Sequence, residues 1–175
     1  MKQLLILSGK GGTGKTTVAS AFISLSKAKA YADCDVDAPN LHLVNHNDET
    51  YSTKDFYGLK KANIDPDVCI GCGLCYDHCR FDAIIEGDKY SIDINACEGC
   101  AVCGLVCPVN AITMEPNIVG DLMLYKNEKR VFSTAKLHPG NGNSGLLVSE
   151  VKKQMKDNSL KDTKFAIIDG SPGIG

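Results

Sequence analysis

Cysteine is the residue type with the clearest chemical pattern in this sequence. The 175-residue chain has nine cysteines, and eight of them lie between positions 69 and 107. They form two groups spaced C-x2-C-x2-C-x3-C, and adding 28 to each position of the first group gives the second. Because the short apolar run near the N-terminus predicts no export signal, thiolate ligation of a metal or cluster is favoured over disulfides. The groups are Cys69, Cys72, Cys75 and Cys79, and Cys97, Cys100, Cys103 and Cys107.

A glycine-rich stretch near the N-terminus is the second candidate for chemistry. It fits G-x-x-x-x-G-K-[ST], the pattern of a phosphate-binding loop. Glycines let backbone N–H groups converge on phosphate oxygens, Lys15 would reach the β- and γ-phosphates, and the Thr16 hydroxyl would ligate Mg²⁺. The alternative is a chance glycine turn with a solvated lysine. The candidate nucleotide-binding residues are Gly9, Lys10, Gly11, Gly12, Thr13, Gly14, Lys15, Thr16 and Thr17.

Three apolar segments predict the strands that position these residues. Leu4–Leu7 is a continuous apolar run, as expected of a strand buried on both faces of a parallel sheet. A weaker strand candidate at 30–32 ends at Asp33, and a stronger one at 164–168 ends at Asp169. Strand, loop, helix and strand in this order predict an α/β fold with a doubly wound parallel sheet. We expect the cysteine-rich unit to be inserted between the second and third strands of that sheet.

Helices and hairpins are predicted around these strands. One helix begins at Thr16, and another runs from about Gly145 to Met155 with Ser144 as its cap. Hairpins are predicted within 84–92 and 122–134. The apolar faces predicted for the two helices consist of Val18, Ala21, Phe22 and Leu25, and of Leu147, Val148, Val151 and Met155.

Lys10 makes the glycine-rich stretch more specific than an ordinary phosphate-binding loop. The stretch K-G-G-x-G-K-T-T resembles that of the MinD/ParA/Mrp group of P-loop ATPases, which also includes the nitrogenase iron protein. The resemblance implies binding of ATP with Mg²⁺ and ATP-dependent homodimerisation, in which Lys10 would reach the partner's phosphates. The alternative is that Lys10 lies near its own phosphate, without coupling nucleotide to association.

The same resemblance assigns roles to acidic residues at two strand ends. Asp33, Asp35 and Asp37 follow the second strand, where the family has its first switch, and carboxylates there can hold waters of the Mg²⁺ shell or orient the attacking water. We favour Asp35 for the metal shell or catalysis, with Asp37 and Asp33 ranked below it. Asp169 would hold an Mg²⁺-bound water at the second switch, and the Gly173 N–H would sense the γ-phosphate.

The cysteine repeat resembles the bacterial two-cluster ferredoxin. This resemblance implies two [4Fe–4S] clusters with crossed ligands, because the fourth cysteine of each motif faces the other cluster. Zinc is the competing interpretation, although paired zinc sites need no third cysteine in each half. Arg80 replaces the proline that the motif prefers after Cys79, whereas Pro108 follows Cys107. We expect His78 to be exposed rather than coordinating, and Cys34 to be a small packing residue. The implied ligand sets are Cys69, Cys72, Cys75 and Cys107, and Cys97, Cys100, Cys103 and Cys79.

Composition limits the possible partners. With 43% hydrophobic residues the chain can bury a core, and 19 basic against 21 acidic residues give a net charge of −2. This charge disfavours nucleic acid and anionic membranes as partners, and we expect a soluble, cytoplasmic protein. The predicted domains are 1–60 and 118–175, which together form an incomplete P-loop sheet, and an inserted α+β dicluster ferredoxin domain at 61–117. Members of the ATPase group continue well past the second switch, so the resemblance covers the first part of a typical member.

The combined motifs predict an ATP-binding iron–sulfur protein. We expect ATP binding and hydrolysis to be coupled to electron transfer through the two clusters toward a redox protein, although a chain of this length is not assured of turnover. Two alternatives stay open. One is a cluster carrier of the Mrp kind, which would need cysteines beyond the second switch. The other is a MinD-like regulatory switch.

Overall fold

The computed structural model describes residues 1–45, 51–142 and 144–171. In chain order the strands are β1 (Lys2–Ile6), β2 (Ala30–Asp33), β3 (Tyr51–Tyr57), β4 (Lys61–Ile64), β5 (Ile84–Ile85), β6 (Ser91–Ile92), β7 (Ile112–Glu115), β8 (Ile118–Lys126), β9 (Val131–Leu137) and β10 (Phe165–Asp169). The helices are α1 (Lys15–Ser26), α2 (Leu41–Val44), α3 (Leu74–Asp77), α4 (Val102–Val106) and α5 (Ser144–Asn158).

The chain divides into two compact units. The first, here called the sheet unit, comprises Met1–Phe56 and Val119–Gly175, and the second, the cysteine unit, comprises Tyr57–Ile118. The cysteine unit begins four residues before the predicted insert (61 − 57) and ends one residue after it (118 − 117). Strand β3, which the sequence analysis did not predict, precedes the cysteine unit, so that unit follows the third strand of the chain rather than the second.

The sheet unit contains a six-stranded sheet in the order β1-β10-β2-β9-β8-β3. Strands β1, β10, β2 and β9 run parallel, whereas β8 and β9 form an antiparallel hairpin. Because side chains alternate along a strand, Tyr31 and Ile167 belong to one core cluster, and Ala32 and Ile168 to another. Helix α1 contributes to the first cluster and α5 to the second, so helices cover both faces of the sheet.

Burial of the first strand differs from the prediction. Leu4 and Leu5 are 46% and 50% exposed, and Leu7 is also exposed. The expectation that Leu4–Leu7 is buried on both faces is therefore wrong. The physical reason is the strand order, which puts β1 at an edge of the described sheet, while β10 and β2 lie inside it and are almost fully buried.

The buried face was predicted correctly for one of the two long helices and wrongly for the other. Helix α5 buries Leu147, Val151 and Met155, which confirms the predicted face, and it continues three residues past the predicted end. Helix α1 instead buries Ala19 and Ile23. Its sequence has apolar residues on more than one side, so periodicity did not select the buried face. The predicted face is wrong, because its residues Val18, Ala21, Phe22 and Leu25 are exposed.

The cysteine unit keeps the 28-residue repeat in its pairing. Strand β4 pairs with β7 and strand β5 pairs with β6, both antiparallel. The pair Ile64–Ile112 corresponds to the pair Ile92–Ile84 after a shift of 28 positions in each half. Each two-stranded sheet therefore combines one strand from each half. Across the described residues, none of the helices is long and apolar enough to cross a membrane.

Candidate functional sites

Two cavities in the cysteine unit are each lined by four cysteines. The first cavity is lined by three cysteines of the first motif and by Cys107. The second cavity is lined by three cysteines of the second motif and by Cys79. The last cysteine of each motif thus lies with the other motif, the crossed grouping that the resemblance implies. The lining cysteines are Cys69, Cys72, Cys75 and Cys107 in the first cavity, and Cys97, Cys100, Cys103 and Cys79 in the second.

Left-handed backbone positions curve each motif around its cavity. Gly71 and Gly99 occupy equivalent positions, and both have φ of 70°. Gly73 has φ of 80°, and its equivalent Ala101 keeps the left-handed conformation at 62°. Glycine adopts this region without a steric penalty, so the loops turn back before α3 and α4 begin. The repeat therefore duplicates local conformation as well as ligand spacing.

The chemistry of both linings fits a multi-atom group held by thiolates. Apolar side chains fill the walls between the sulfurs, with Ile64 and Ile112 in the first cavity and Ala62 and Ile92 in the second. The Ala111 N–H donates to Cys107 Sγ at 3.2 Å, a contact that favours the thiolate. In the described residues no three Cys, His, Asp or Glu side chains converge as the ligands of a single ion do. The four sulfurs around each cavity match the four thiolate ligands that a [4Fe–4S] cluster takes.

Burial disfavours the thiolate form of two cavity cysteines. Desolvation raises the pKa of Cys75 and Cys103, since a buried thiolate loses its hydration. A positively charged iron–sulfur core would offset that cost, because metal ligation deprotonates thiols. His78 is exposed as predicted, and its Nδ1 lies 2.8 Å from the Leu74 carbonyl oxygen. Its side chain contributes to the lining of the second cavity, which already has four cysteines.

The glycine-rich stretch forms a separate open cavity of about 330 Å³ at the start of α1. Gly12 and Gly14 have φ of 75° and 81°, which explains glycine at these two turns. The Thr13 hydroxyl donates to the Lys10 carbonyl at 3.2 Å and closes the loop. The cavity-lining residues are Ser8, Gly11, Gly12, Thr13, Gly14, Lys15, Thr16, Thr17, Asp35 and Asn40.

The sheet register brings carboxylates to this loop. Ile6, Asp169 and Asp33 are neighbours at the carboxyl ends of β1, β10 and β2. Lys15 Nζ lies 3.2 Å from Asp169 Oδ1, and the Asp169 side chain is fully buried. Among the described residues, neither carboxylate oxygen of Asp169 accepts a well-formed hydrogen bond. The protein groups around Asp169 therefore leave acceptor positions on its carboxylate open.

Asp33 and Asp35 have different surroundings. Asp33 is buried and accepts backbone N–H groups of Asp35, Asn40 and Leu41 at 2.9–3.0 Å, so it shapes the following loop. Desolvation raises the pKa of Asp33 against the effect of these bonds. Partial burial also raises the pKa of Asp35, which lines the cavity, and the positive charge of Lys15 opposes this shift. Asp35 is thus the better placed of the two to meet a ligand.

Not every predicted site residue lines the glycine-loop cavity. Gly9, Lys10 and Asp37 are exposed and lie outside its lining. The structure adds Ser8 and Asn40, which the sequence analysis did not select because a single hydroxyl or amide in a loop carries no spacing signal. Gly173 lies outside the described residues, so its predicted role has no structural account.

Comparison with known proteins identifies one part of the chain. Residues 62–114 match the family model described as a 4Fe-4S dicluster domain. An uncharacterized protein of Methanocaldococcus jannaschii is 34% identical over 182 residues, a match that covers 99% of this chain and 60% of the relative. The chain thus spans about three fifths of the length of that curated relative. It contains a ferredoxin-like 4Fe–4S dicluster domain and is an iron–sulfur protein.

Proposed function

We propose that this protein couples ATP binding and hydrolysis to electron transfer through two [4Fe–4S] clusters. The observation that carries the electron-transfer part is the pair of four-cysteine cavities within the segment that matches the dicluster domain. Support for the ATP part comes from the glycine-rich loop, the buried Lys15–Asp169 ion pair and the carboxylates at neighbouring strand ends. On these features we base the proposal of a P-loop ATPase of the MinD/ParA/Mrp type that carries a ferredoxin domain.

Each cavity has a defined part in this proposal. The crossed cysteine sets would hold the clusters, which would supply one-electron transfer at low potential. The apolar walls, which include Ile64 and Ile112, limit water near the sulfurs. The Ala111 N–H stabilises the thiolate of Cys107. These residues would keep the ligands deprotonated and hold them in place.

The glycine-loop residues would bind the triphosphate and Mg²⁺. Backbone N–H groups at the start of α1 and the Lys15 ammonium bind phosphate oxygens, and the Thr16 hydroxyl binds the metal. Asp35 and Asp169 would hold waters of the metal shell, and Asp35 or Asp37 would orient the attacking water. Lys10 is exposed, so in a nucleotide-dependent homodimer it can reach a second copy.

An anaerobic experiment on the full-length protein tests the coupling. The reduced protein is mixed with a one-electron dye, and dye reduction is followed with MgATP, with a non-hydrolysable analogue and without nucleotide. We expect MgATP to change the rate or the cluster potentials, and the analogue to reproduce the binding effect alone. Bound iron and sulfide with no effect of nucleotide on either quantity would contradict the coupling, while the iron–sulfur assignment would stand.

A further inference from the structure

Two lysines contact the cysteine motifs at equivalent positions of the repeat. Lys61 Nζ donates to the carbonyl oxygen of Cys97, and Lys89 Nζ donates to that of Cys69. Lys89 follows Lys61 by 28 positions, as Cys97 follows Cys69. Each cavity therefore has one ammonium group bonded to the backbone of its first cysteine. The motif spacing gives no signal for this contact, which becomes visible only in the folded unit.

The two lysines differ in burial. Lys61 is only 8% exposed, whereas Lys89 is exposed. An exposed charge is surrounded by water and counter-ions, which screen its interactions. A buried charge acts through a medium of lower effective dielectric constant, so its effect on a neighbouring charge is larger. Although both residues are lysines, their unequal burial therefore predicts that Lys61 has the larger electrostatic effect.

Packing around the two lysines also differs. A Cβ added at Gly99 would lie 2.3 Å from the Lys60 carbonyl oxygen, which shows that the chain before Lys61 rests directly against the second motif. At the equivalent Gly71 the nearest atom to such a Cβ would be the Asp88 carbonyl oxygen, at 3.9 Å. The buried lysine therefore sits on the more tightly packed of the two loops.

The charged neighbours of both lysines, including Glu115 opposite Lys61 in the β4–β7 register, are exposed and screened by water, so burial of Lys61 is the main difference between the sites. Lys60 precedes the buried lysine, whereas the acidic Asp88 precedes Lys89 at the equivalent position. The first cavity is also lined by Tyr90, whose hydroxyl lies 3.5 Å from Glu86 Oε1. One acidic residue, Glu98, contributes to the second cavity, but it is exposed and therefore screened.

We infer that Lys61 makes the second cysteine site the more easily reduced of the two. One added electron makes a bound cluster more negative, and a buried cation beside its ligand stabilises that state, which raises the reduction potential. Lys61 is thus a positioning residue that acts through charge on the Cys97 side. This inference rests on the iron–sulfur part of the proposed function and is independent of ATP.

A redox titration monitored by electron paramagnetic resonance tests the inference in the full-length protein without nucleotide. Dithionite supplies the electrons, and the variants are Lys61→Met, Lys61→Arg and the matched control Lys89→Met. The double variant Cys79→Ala/Cys97→Ala lacks two ligands of the second set and identifies the signal of the first cluster. We expect Lys61→Met to lower the potential of the second cluster, Lys89→Met to shift the first cluster less, and Lys61→Arg to stay close to wild type.

Four results of the titration would overturn the inference. They are a lower potential of the second cluster than of the first in the wild type, an unchanged potential in Lys61→Met, equal shifts in the two methionine variants, and a shift in Lys61→Arg as large as in Lys61→Met. If Lys61→Met fails to bind two clusters, Lys61→Gln replaces it, because the amide keeps a donor without the charge. Failure of both to bind the second cluster would assign Lys61 to assembly of the site and would also overturn a role in its potential.

Discussion

The two units of this chain build their candidate sites in different ways. In the cysteine unit every thiol that lines a cavity comes from a span of the chain between 69 and 107, and a repeated local conformation closes both cavities. In the sheet unit the glycine loop meets Asp35 and Asp169 only because three parallel strands end side by side. A site built by a local repeat is therefore specified by spacing, whereas a site at strand ends depends on the register of a whole sheet.

Paired cysteine variants give the sharpest test of the cysteine unit, because they are expected to differ in whether a cluster is bound at all. Cys69→Ala/Cys107→Ala removes two ligands of one cavity, so we expect it to keep one cluster, about four irons per chain. Cys69→Ala/Cys79→Ala removes one ligand from each cavity, although both cysteines belong to one motif, and we expect both clusters to be lost or severely depleted. Iron and acid-labile sulfide per chain, measured anaerobically, report the difference.

The opposite pattern would break the comparison. If the pair within one motif kept one cluster while the pair Cys69 and Cys107 lost both, each motif would hold its own cluster. The repeat would then act as two independent sites, and the lining of the two cavities would not describe the ligand sets. Zinc without sulfide in the wild-type protein would contradict the cluster assignment itself.

The sequence predicted features that depend on local spacing and missed features that depend on how distant strands are arranged. The 28-residue shift revealed the two cysteine motifs, the resemblance to a ferredoxin implied their crossed grouping, and clean periodicity predicted the buried face of α5. Local sequence patterns did not predict strand β3, because its segment is largely polar and exposed. They also did not predict the buried face of α1, because apolar residues lie on more than one side of that helix. The exposure of Leu4 and Leu5 follows from strand order, which no local pattern contains.

Replacing Lys15 tests the glycine-loop site. We expect Lys15→Met to weaken MgATP binding by at least about 10-fold, because a charge-assisted contact to phosphate is lost. It also leaves Asp169 as an unpaired buried carboxylate, a loss of about 3–5 kcal/mol in stability. Equilibrium dialysis measures the first effect and thermal unfolding the second, and iron content should stay at its wild-type value.

A double variant separates binding from stability at this site. Lys15→Met/Asp169→Asn removes both charges, so we expect it to recover much of the lost stability but none of the nucleotide affinity. Wild-type affinity in either variant would show that the loop does not bind phosphate through Lys15. The glycine stretch would then be a turn with a structural ion pair.

Equivalent glycines test how far the repeat in the cysteine unit is symmetric. Alanine at Gly71 or Gly99 must adopt a left-handed conformation, which costs about 1–2 kcal/mol. At Gly99 the added methyl group also meets the Lys60 carbonyl oxygen, and overpacking adds about 1–3 kcal/mol. Urea unfolding of the cluster-loaded protein should therefore show a larger loss for Gly99→Ala than for Gly71→Ala. Equal losses would mean that the two loops are packed alike.

Cys34 offers the smallest effect and the most direct contrast between thiols of the two units. Burial, with added repulsion from Asp33, raises its pKa to about 12, so this thiol stays protonated where the eight others would be thiolate ligands. Because the folded pKa exceeds the ordinary value near 9, its contribution to stability is constant below pH 9 and is lost as pH rises toward 12. The carbon-13 chemical shift of the labelled Cys34 Cβ reports its protonation, and the Cys34→Ala variant assigns the signal. We expect this shift not to change below about pH 10 in the folded protein, and to follow the titration of an ordinary thiol in urea. A folded-state midpoint near 9 would show that Cys34 is solvated, and the interior of the sheet unit at the end of β2 would be less closed than its burial indicates.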